Sequence, residues 1–548
     1  MKNQIFRWGQ LALIGLFFSL GQELLGQDFS SQLRITLEKV TQEAPARIRD
    51  RQLTQIGIVF PFYSQRQFEP LWIKQGKLTS LAYELRFEIR QVADDALKPE
   101  SYHLALMEAF FESYEKKLAS GSPLEGVELA ELELLLSDAY FKLAHDLDLG
   151  RVDPGKLKAK WGIPRKTQTK DYGVLLTQAA RDQDLRTVLI SLYPNTPSYR
   201  KGKLRLRQLE EYVQMQGTWK PIKSDRSIHL GETNSMLPQV RERLAFWGFS
   251  PKGGAKDPKL YDSLLLEQVQ AFQSQRGLHI DGVLGQGTLV ALNTSPAQLR
   301  DKIRVNLERM RWVPADFFEK EAILVNVPSF QVVYHRGADT LFSTKVIVGT
   351  VKNQTPIFTS PMSYLVLSPY WNIPPSIARK ETLPAIRRNP GYLNANHMEV
   401  VNTAGQPVSL SQVNWKASPF PYLIRQKPGE HNALGLVKFM FPNPYNVYLH
   451  DTPSKELVER EARAFSHGCI RMEHPETFAA LLLKDRQEWP VARMQEVMHQ
   501  GKEEIVPLTN KIPVAILYFT FLVSSTGAPV FYEDIYGRDE ELLLLLKR

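Results

Sequence analysis

The chain has 548 residues, of which 43% are hydrophobic and 23% charged. This composition excludes a disordered or fibrous chain, and the length exceeds what one core can hold, so about two to four domains are expected. The net charge of +9 is spread thinly, with no Lys/Arg block and no interleaved aromatic stripe, which reads as a solvated surface and excludes a nucleic-acid-binding protein.

At the N-terminus, Lys2 and Arg7 form a positive region ahead of the apolar run Leu11 to Leu20. Small residues follow at Ser19, Gly21 and Gly26. Residues 1–26 therefore read as an export signal peptide. The run is short for a bilayer span, so membrane contact is expected only through an uncleaved signal anchor. Residues 30–220 read as a helical domain rich in Leu, Ala and Glu, with its clearest apolar run from Leu129 to Phe141. Phe68-Glu69-Pro70-Leu71-Trp72 predicts a turn beside an aromatic anchor, and Gly150 with Pro154 closes one helix. No polar constellation stands out, so this part reads as a bundle without chemistry of its own.

Residues 230–295 form a compact unit. A helix is expected from Val240 to near Gly248, a second from Leu264 to Arg276 with Gly277 as its stop, and a third from Gln286 to Asn293. Val269-Gln270-Ala271-Phe272-Gln273, with Gly277-Leu278 and Asp281-Gly282-Val283-Leu284-Gly285, resembles a small three-helix peptidoglycan-binding domain. These positions read as core and turn residues, so they speak for the fold more than for a sugar site. Glycan binding and a spacer role stay open.

From 321 to 548 the texture is mainly β. Ala322 to Val327, Gln331 to His335, Ser343 to Gly349, Met362 to Leu367, Asn446 to His450 and Ile512 to Val523 read as strands. A Pro-rich insert, residues 373–443, holds one expected helix from Ser376, which Pro384 should end or kink. The insert lies between two strands, so a lid is favoured over a solvent-facing decoration.

Cys469 is the only cysteine. A lone thiol forms no intramolecular disulfide, and its neighbours Ser466, His467 and Gly468 suit an exposed turn better than a core. That makes it a candidate nucleophile, with His450 or His467 as the imidazole that accepts its proton. Asp451 is a tempting group to orient His450, but on an extended strand its side chain points the other way, and a backbone carbonyl serves equally well. A metal site from His450, His467, Cys469 and His474 is the weaker reading, because one thiol without a carboxylate set is a poor zinc signature.

His450, the spacer 451–465 and Ser466-His467-Gly468-Cys469 resemble the active-site signature of L,D-transpeptidases. Arg471 stands where the family pattern often has Asn. Tyr370-Trp371-Asn372-Ile373-Pro374-Pro375 and Asp534-Ile535-Tyr536-Gly537-Arg538-Asp539 resemble its large, multidomain members. The fold this implies is multidomain α+β: a helical N-terminal scaffold, the three-helix unit, and a mainly β catalytic domain with a lid insert.

The resemblance implies that Cys469 attacks a tetrapeptide stem, that His450 is the base, and that His467 with the Gly468 and Cys469 amides forms the oxyanion site. Gly468 would supply an unusual φ there. Arg471 is expected to bind a substrate carboxylate or form a structural ion pair, and Ser466 to hold the turn or touch substrate. Tyr448 and Trp371 should line the donor pocket or pack in the sheet. No cofactor or metal is implied. The expected partners are peptidoglycan stem peptides and other cell-wall synthesis proteins, in a Gram-negative periplasm, with carbapenems as acylating inhibitors. An L,D-carboxypeptidase, a D-amino-acid exchange enzyme, a protein-anchoring enzyme and a non-catalytic wall-binding scaffold share parts of this pattern. A papain-like protease would usually place its Cys before its His, the reverse of the order here.

Overall fold

The computed structural model describes residues 29–547 except 123–124, 165, 216, 218, 251–255 and 525. The signal peptide expected at 1–26 lies outside the described residues. No described helix is long and apolar enough to cross a membrane.

The N-terminal region is helical and centres on Gly126–Leu149. This helix starts at a capping box of Glu125 and Glu128 and ends at Gly150, whose φ of 85° suits glycine. Leu132, Leu134, Leu135 and Leu136 are all fully buried, so every face is covered by its neighbours. Its buried polar groups are satisfied. Glu133 accepts from the Tyr63 hydroxyl at 2.7 Å and the Leu71 amide at 2.5 Å, while Asp138 accepts from the Gln55 amide at 2.6 Å. These bonds anchor irregular segments that apolar packing alone would leave adjustable. Trp72, in the predicted turn, is fully buried.

The three-helix unit comprises Leu237–Phe246, Ser263–Arg276 and Gln286–Asn293. Asp262 caps the second helix and Gly277, at φ 71°, ends it.

A further helix, Pro296–Trp312, buries Leu299, Ile303, Leu307 and Met310 along one face and ties the molecule together. Ser295 and Gln298 form its capping box, with Pro296 in the first turn. Its Glu308 and Arg311 are fully buried and joined at 2.7 Å. Arg311 also donates to the Asp95 carbonyl (2.9 Å) and the Tyr199 hydroxyl (2.8 Å), and Glu308 receives the Val152 amide at 2.7 Å. The C-terminal helix Asp539–Lys547 packs on the same element, held by Arg309 and Asp539 at 2.5 Å.

The β domain is a closed sheet. Its strands are β1 (Trp161–Gly162), β2 (Glu321–Asn326), β3 (Gln331–Arg336), β4 (Asp339–Gly349) and β5 (Ile357–Leu367). After the insert come β9 (Val437–Met440), β10 (Leu449–His450), β11 (Ala464–Ser466), β12 (Ile470–Met472) and β13 (Glu504–Leu517). The order is β9-β10-β12-β4-β3-β2-β13-β5-β1, and β9 pairs back onto β5. That last pairing closes a barrel and removes its free edges. β1 and β9 share one edge of β5, so the chain leaving the helical region is stitched into the barrel.

The insert has its own small sheet, β6 (Trp371–Asn372), β7 (Met398–Val401) and β8 (Leu423–Gln426), in the order β6-β8-β7. Ile373, Leu383, Ile386, Leu393, Val400 and Ile424 form its core. Of the two outcomes expected at Pro384, an end or a kink, the helix from Ser376 does not take the first. Instead of ending there, the helical run continues from Pro375 to Arg388 through a π-turn at Ala378–Thr382. The π-turn shifts the hydrogen-bond pattern just where proline has no N–H to give.

Candidate active site

β10 and β12 run parallel, with Leu449 opposite Ile470 and His450 opposite Arg471. A parallel pair needs a crossover. Here residues 451–469 supply it, passing through β11, which pairs with β4. Side chains alternate along a strand, so Tyr448 and His450 share one face, and Cys469 and Arg471 share the same face of the neighbour. The Tyr448 and His450 rings meet edge to face, 5.7 Å apart.

Cys469 sits at the end of the turn before β12. Gly468 has φ +117°, and a Cβ there would meet nothing closer than 3.8 Å. It is the backbone angle, not crowding, that asks for glycine. The Ser466 hydroxyl is consumed by the turn: it donates to the Cys469 carbonyl at 2.5 Å and accepts the Gly468 amide at 3.0 Å. The Gly468 N–H expected as an oxyanion donor is therefore already engaged, which leaves the Cys469 amide as the candidate donor. Thr355, fully buried, donates to the Gly468 carbonyl at 2.9 Å and accepts the Gly349 amide at 2.9 Å. Tyr536 braces this loop, donating to the Gly349 carbonyl at 2.6 Å and accepting the Thr355 amide at 3.1 Å. The sequence marked Tyr536 only as part of a resembling segment, and Thr355 carried no signal.

His450 is buried, 4% exposed. Its Nδ1–H donates to the Asp451 carbonyl at 2.5 Å, which leaves Nε2 as the basic nitrogen. The Asp451 carboxylate faces away and receives the Leu436 and Thr452 amides at 2.9 and 2.7 Å. Gly435 makes this possible: a Cβ there would lie 2.2 Å from that carboxylate. Burial lowers the His450 pKa to about 3. The neighbouring Arg471 reinforces this, and hydrogen bonding to the Asp451 and Leu434 backbone opposes it. Burial pushes the Cys469 thiol up, against hydrogen bonds from Tyr448 and the charge of Arg471. The resting pair is thus a neutral thiol and a neutral imidazole. The thiol donates to the Asn446 carbonyl at 3.7 Å, not to His450.

Two cations flank His450. Arg471 is half-buried and forms no ion pair among the described residues; burial lowers its pKa. Lys438 stands opposite His450 across β9 and β10, and lies 3.9 Å from Glu503. His467 is exposed and turns outward, its Nε2 2.9 Å from Glu381 in the insert. Trp371 packs in the core of the insert, and His474 lies 3.8 Å from Glu473. Cys469, His450, Tyr448, Gly468, Ser466 and Arg471 are thus brought together, while His467 faces the insert and Trp371 belongs to it. Among the described residues, no group of three His, Cys, Asp or Glu gathers to hold a metal ion.

Residues 320–498 match the L,D-transpeptidase catalytic domain family. This part of the chain is similar to an L,D-transpeptidase catalytic domain. Residues 58–206 match the "Scaffold domain" family and residues 233–292 the "Putative peptidoglycan binding domain" family. A Haemophilus influenzae protein named "Putative L,D-transpeptidase" is 32% identical over 283 residues, 51% of this chain. The match spans 56% of that relative's length. Solved L,D-transpeptidase structures from Stackebrandtia nassauensis and Xylanimonas cellulosilytica each share 12% identity and cover 54% of this chain. They cover 96% and 100% of their own chains, with TM-scores of 0.20 and 0.16, an overlap too slight to carry an argument. The region matched to that family contains both β10 and β12, so the parallel pair lies wholly inside it.

Proposed function

We propose that this protein is an exported L,D-transpeptidase that forms 3→3 cross-links in peptidoglycan, with Cys469 as nucleophile and a tetrapeptide stem as acyl donor. The observation that carries the proposal is the chain's only thiol on the same sheet face as a buried His450 whose Nδ1–H is fixed on a carbonyl. A fixed tautomer leaves Nε2 free to take a proton.

In this reading the Cys469 proton passes to His450 as sulfur bonds to the carbonyl carbon of the third stem residue. The oxyanion forms beside the Cys469 amide. The bond to the terminal D-Ala breaks, its amine takes the proton from His450, and a thioester remains. An acceptor amine then attacks the thioester, loses its proton to His450, and the C–S bond breaks to return the thiol. Because both groups rest neutral, proton transfer accompanies attack instead of preceding it as a stored ion pair.

Arg471, without an acidic partner, binds a carboxylate of the donor stem, and Tyr448 borders the thiol. The insert 373–443 acts as a lid, with the Glu381–His467 contact at its seam. Residues 233–292 hold the enzyme on its polymer, and the site of action is the periplasm.

The test is product analysis with tetrapeptide muropeptides. Native protein should yield 3→3 dimers and free D-Ala, and Cys469→Ala should yield neither while unfolding at the same temperature. Tripeptide alone would make the enzyme a carboxypeptidase, and dimers from Cys469→Ala would end the nucleophile assignment.

A further inference from the structure

Three parts of the molecule meet around one arginine that the proposed chemistry does not use. Arg276 ends the helix Ser263–Arg276 and is 4% exposed. None of its three guanidinium nitrogens has a hydrogen-bond partner among the described residues. Its Cζ lies 4.6 Å from the ring centre of Trp247, 5.0 Å from Phe272 and 5.3 Å from Phe531. Phe531 belongs to the hairpin strand Pro529–Phe531 near the C-terminus. A second guanidinium approaches from the helix Pro197–Met215: Arg205 lies 6.0 Å from the Trp247 ring, its Nη1 donating to Gln208 at 3.1 Å and its Nε buried without a partner among the described residues. The indole N–H of Trp247 is also buried, without a partner among the described residues.

Aromatic faces stabilise a cation, but they do not satisfy five N–H donors. An unpartnered buried guanidinium is costly, and a second one nearby adds repulsion. Elsewhere in this chain buried arginines are matched: Arg311 by Glu308, Arg309 by Asp539 and Arg243 by two carbonyls. Arg276 and Arg205 form no ion pair among the described residues, and the Arg276 pKa is lowered to about 9 by burial and by Arg205. The other charged group near Arg276 is Lys302, which donates to the Tyr532 carbonyl at 2.5 Å and feels Asp539, Asp534 and Glu533.

We infer that Arg276, Arg205 and the Trp247 indole N–H form a binding site for a small oxyanion. The site lies at the junction of the three-helix unit, the helix Pro197–Met215 and the C-terminal hairpin. Planar guanidinium favours a phosphate-type or carboxylate oxyanion that accepts two N–H groups at once. The depth of Arg276 admits a free small ion more readily than a group carried on a polymer. Bound there, the ion would pair with donors from three helices or their ends and hold the aromatic junction together.

The test is thermal unfolding of the full chain in increasing sodium phosphate, with ionic strength fixed by sodium chloride, and a parallel series in sodium acetate. The native protein should show a saturable rise of a few degrees in one series or both. Phosphate alone would identify a tetrahedral oxyanion, and acetate alone a carboxylate. Arg276→Met should lose the concentration dependence. Arg205→Gln, at the more exposed edge, should keep the fold and need about tenfold more anion for the same shift. Flat native curves in both series, or an undiminished response in both variants, would overturn the site and leave Arg276 as an aromatic-caged structural cation.

Discussion

Two buried charged neighbourhoods in this molecule are built on opposite plans. Between the helical region and Pro296–Trp312, Glu308, Arg311, Asp95 and Lys203 alternate in sign, and Arg311 touches both Glu308 and the Asp95 carbonyl. Beside the thiol, among the described residues, Arg471 has no acidic partner and Lys438 has a distant Glu503, and the His450 between them is driven neutral. Matched charges fix one arrangement and resist change. Unmatched cations beside a thiol keep their binding capacity for something that arrives later. Stability resides in the first neighbourhood and chemistry in the second.

Mutation should separate them. His450→Ala should lower thioester formation by about 10²- to 10⁴-fold, the usual reach of a general base, with little change in unfolding temperature. The native acylation rate should also be flat from pH 5 to pH 8, because a base held near pKa 3 stays neutral throughout. A fall below pH 6.5 would mean that the imidazole titrates normally. The same lowered pKa has a stability consequence. The unfolded chain binds a proton at His450 below about pH 6.5 while the folded chain does not, so stability contributed here falls as pH drops from there toward 3.

Arg311→Ala should do the reverse, costing about 3 to 5 kcal/mol by leaving Glu308 buried and unpaired. Denaturant unfolding measures that loss, and the acylation rate of the remaining folded protein should be native. A smaller effect is expected of Arg471→Gln. It should reduce kcat/KM for the tetrapeptide by roughly 10- to 100-fold, equivalent to about 1.5 to 3 kcal/mol for a charged hydrogen bond. Stability should hold, since no ion pair is lost. Steady-state kinetics beside a melting curve would expose a structural role if both fell together.

The legible parts of the chain were those governed by local rules. Gly277 ends its helix and Gly468 carries a positive φ because both positions follow from backbone sterics within a few residues. Strand alternation put a backbone carbonyl level with the Asp451 carboxylate as the group that orients His450, and the Asp451 carbonyl is the one engaged. What stayed hidden depends on partners far along the chain. Pro296–Trp312 carries an apolar stripe of Leu299, Ile303, Leu307 and Met310, but nothing local reveals that its Glu308 and Arg311 are buried as well, with Arg311 reaching the Asp95 carbonyl 216 positions away. Barrel closure through β5 and β9 spans the whole insert, and the Glu381–His467 contact crosses the same gap. Thr355 gave no signal, since a threonine that braces a catalytic turn looks like any other until the turn is in place. Arg276 sat in a recognised helix, yet nothing local revealed that its guanidinium would be buried without a partner.

The most direct measurement is intact-protein mass spectrometry after incubation with a carbapenem or with tetrapeptide muropeptides, native protein beside Cys469→Ala. The account predicts one covalent adduct on the native chain, mapped to Cys469, and none on the variant. An unmodified native chain, or an adduct that persists in Cys469→Ala, would contradict it.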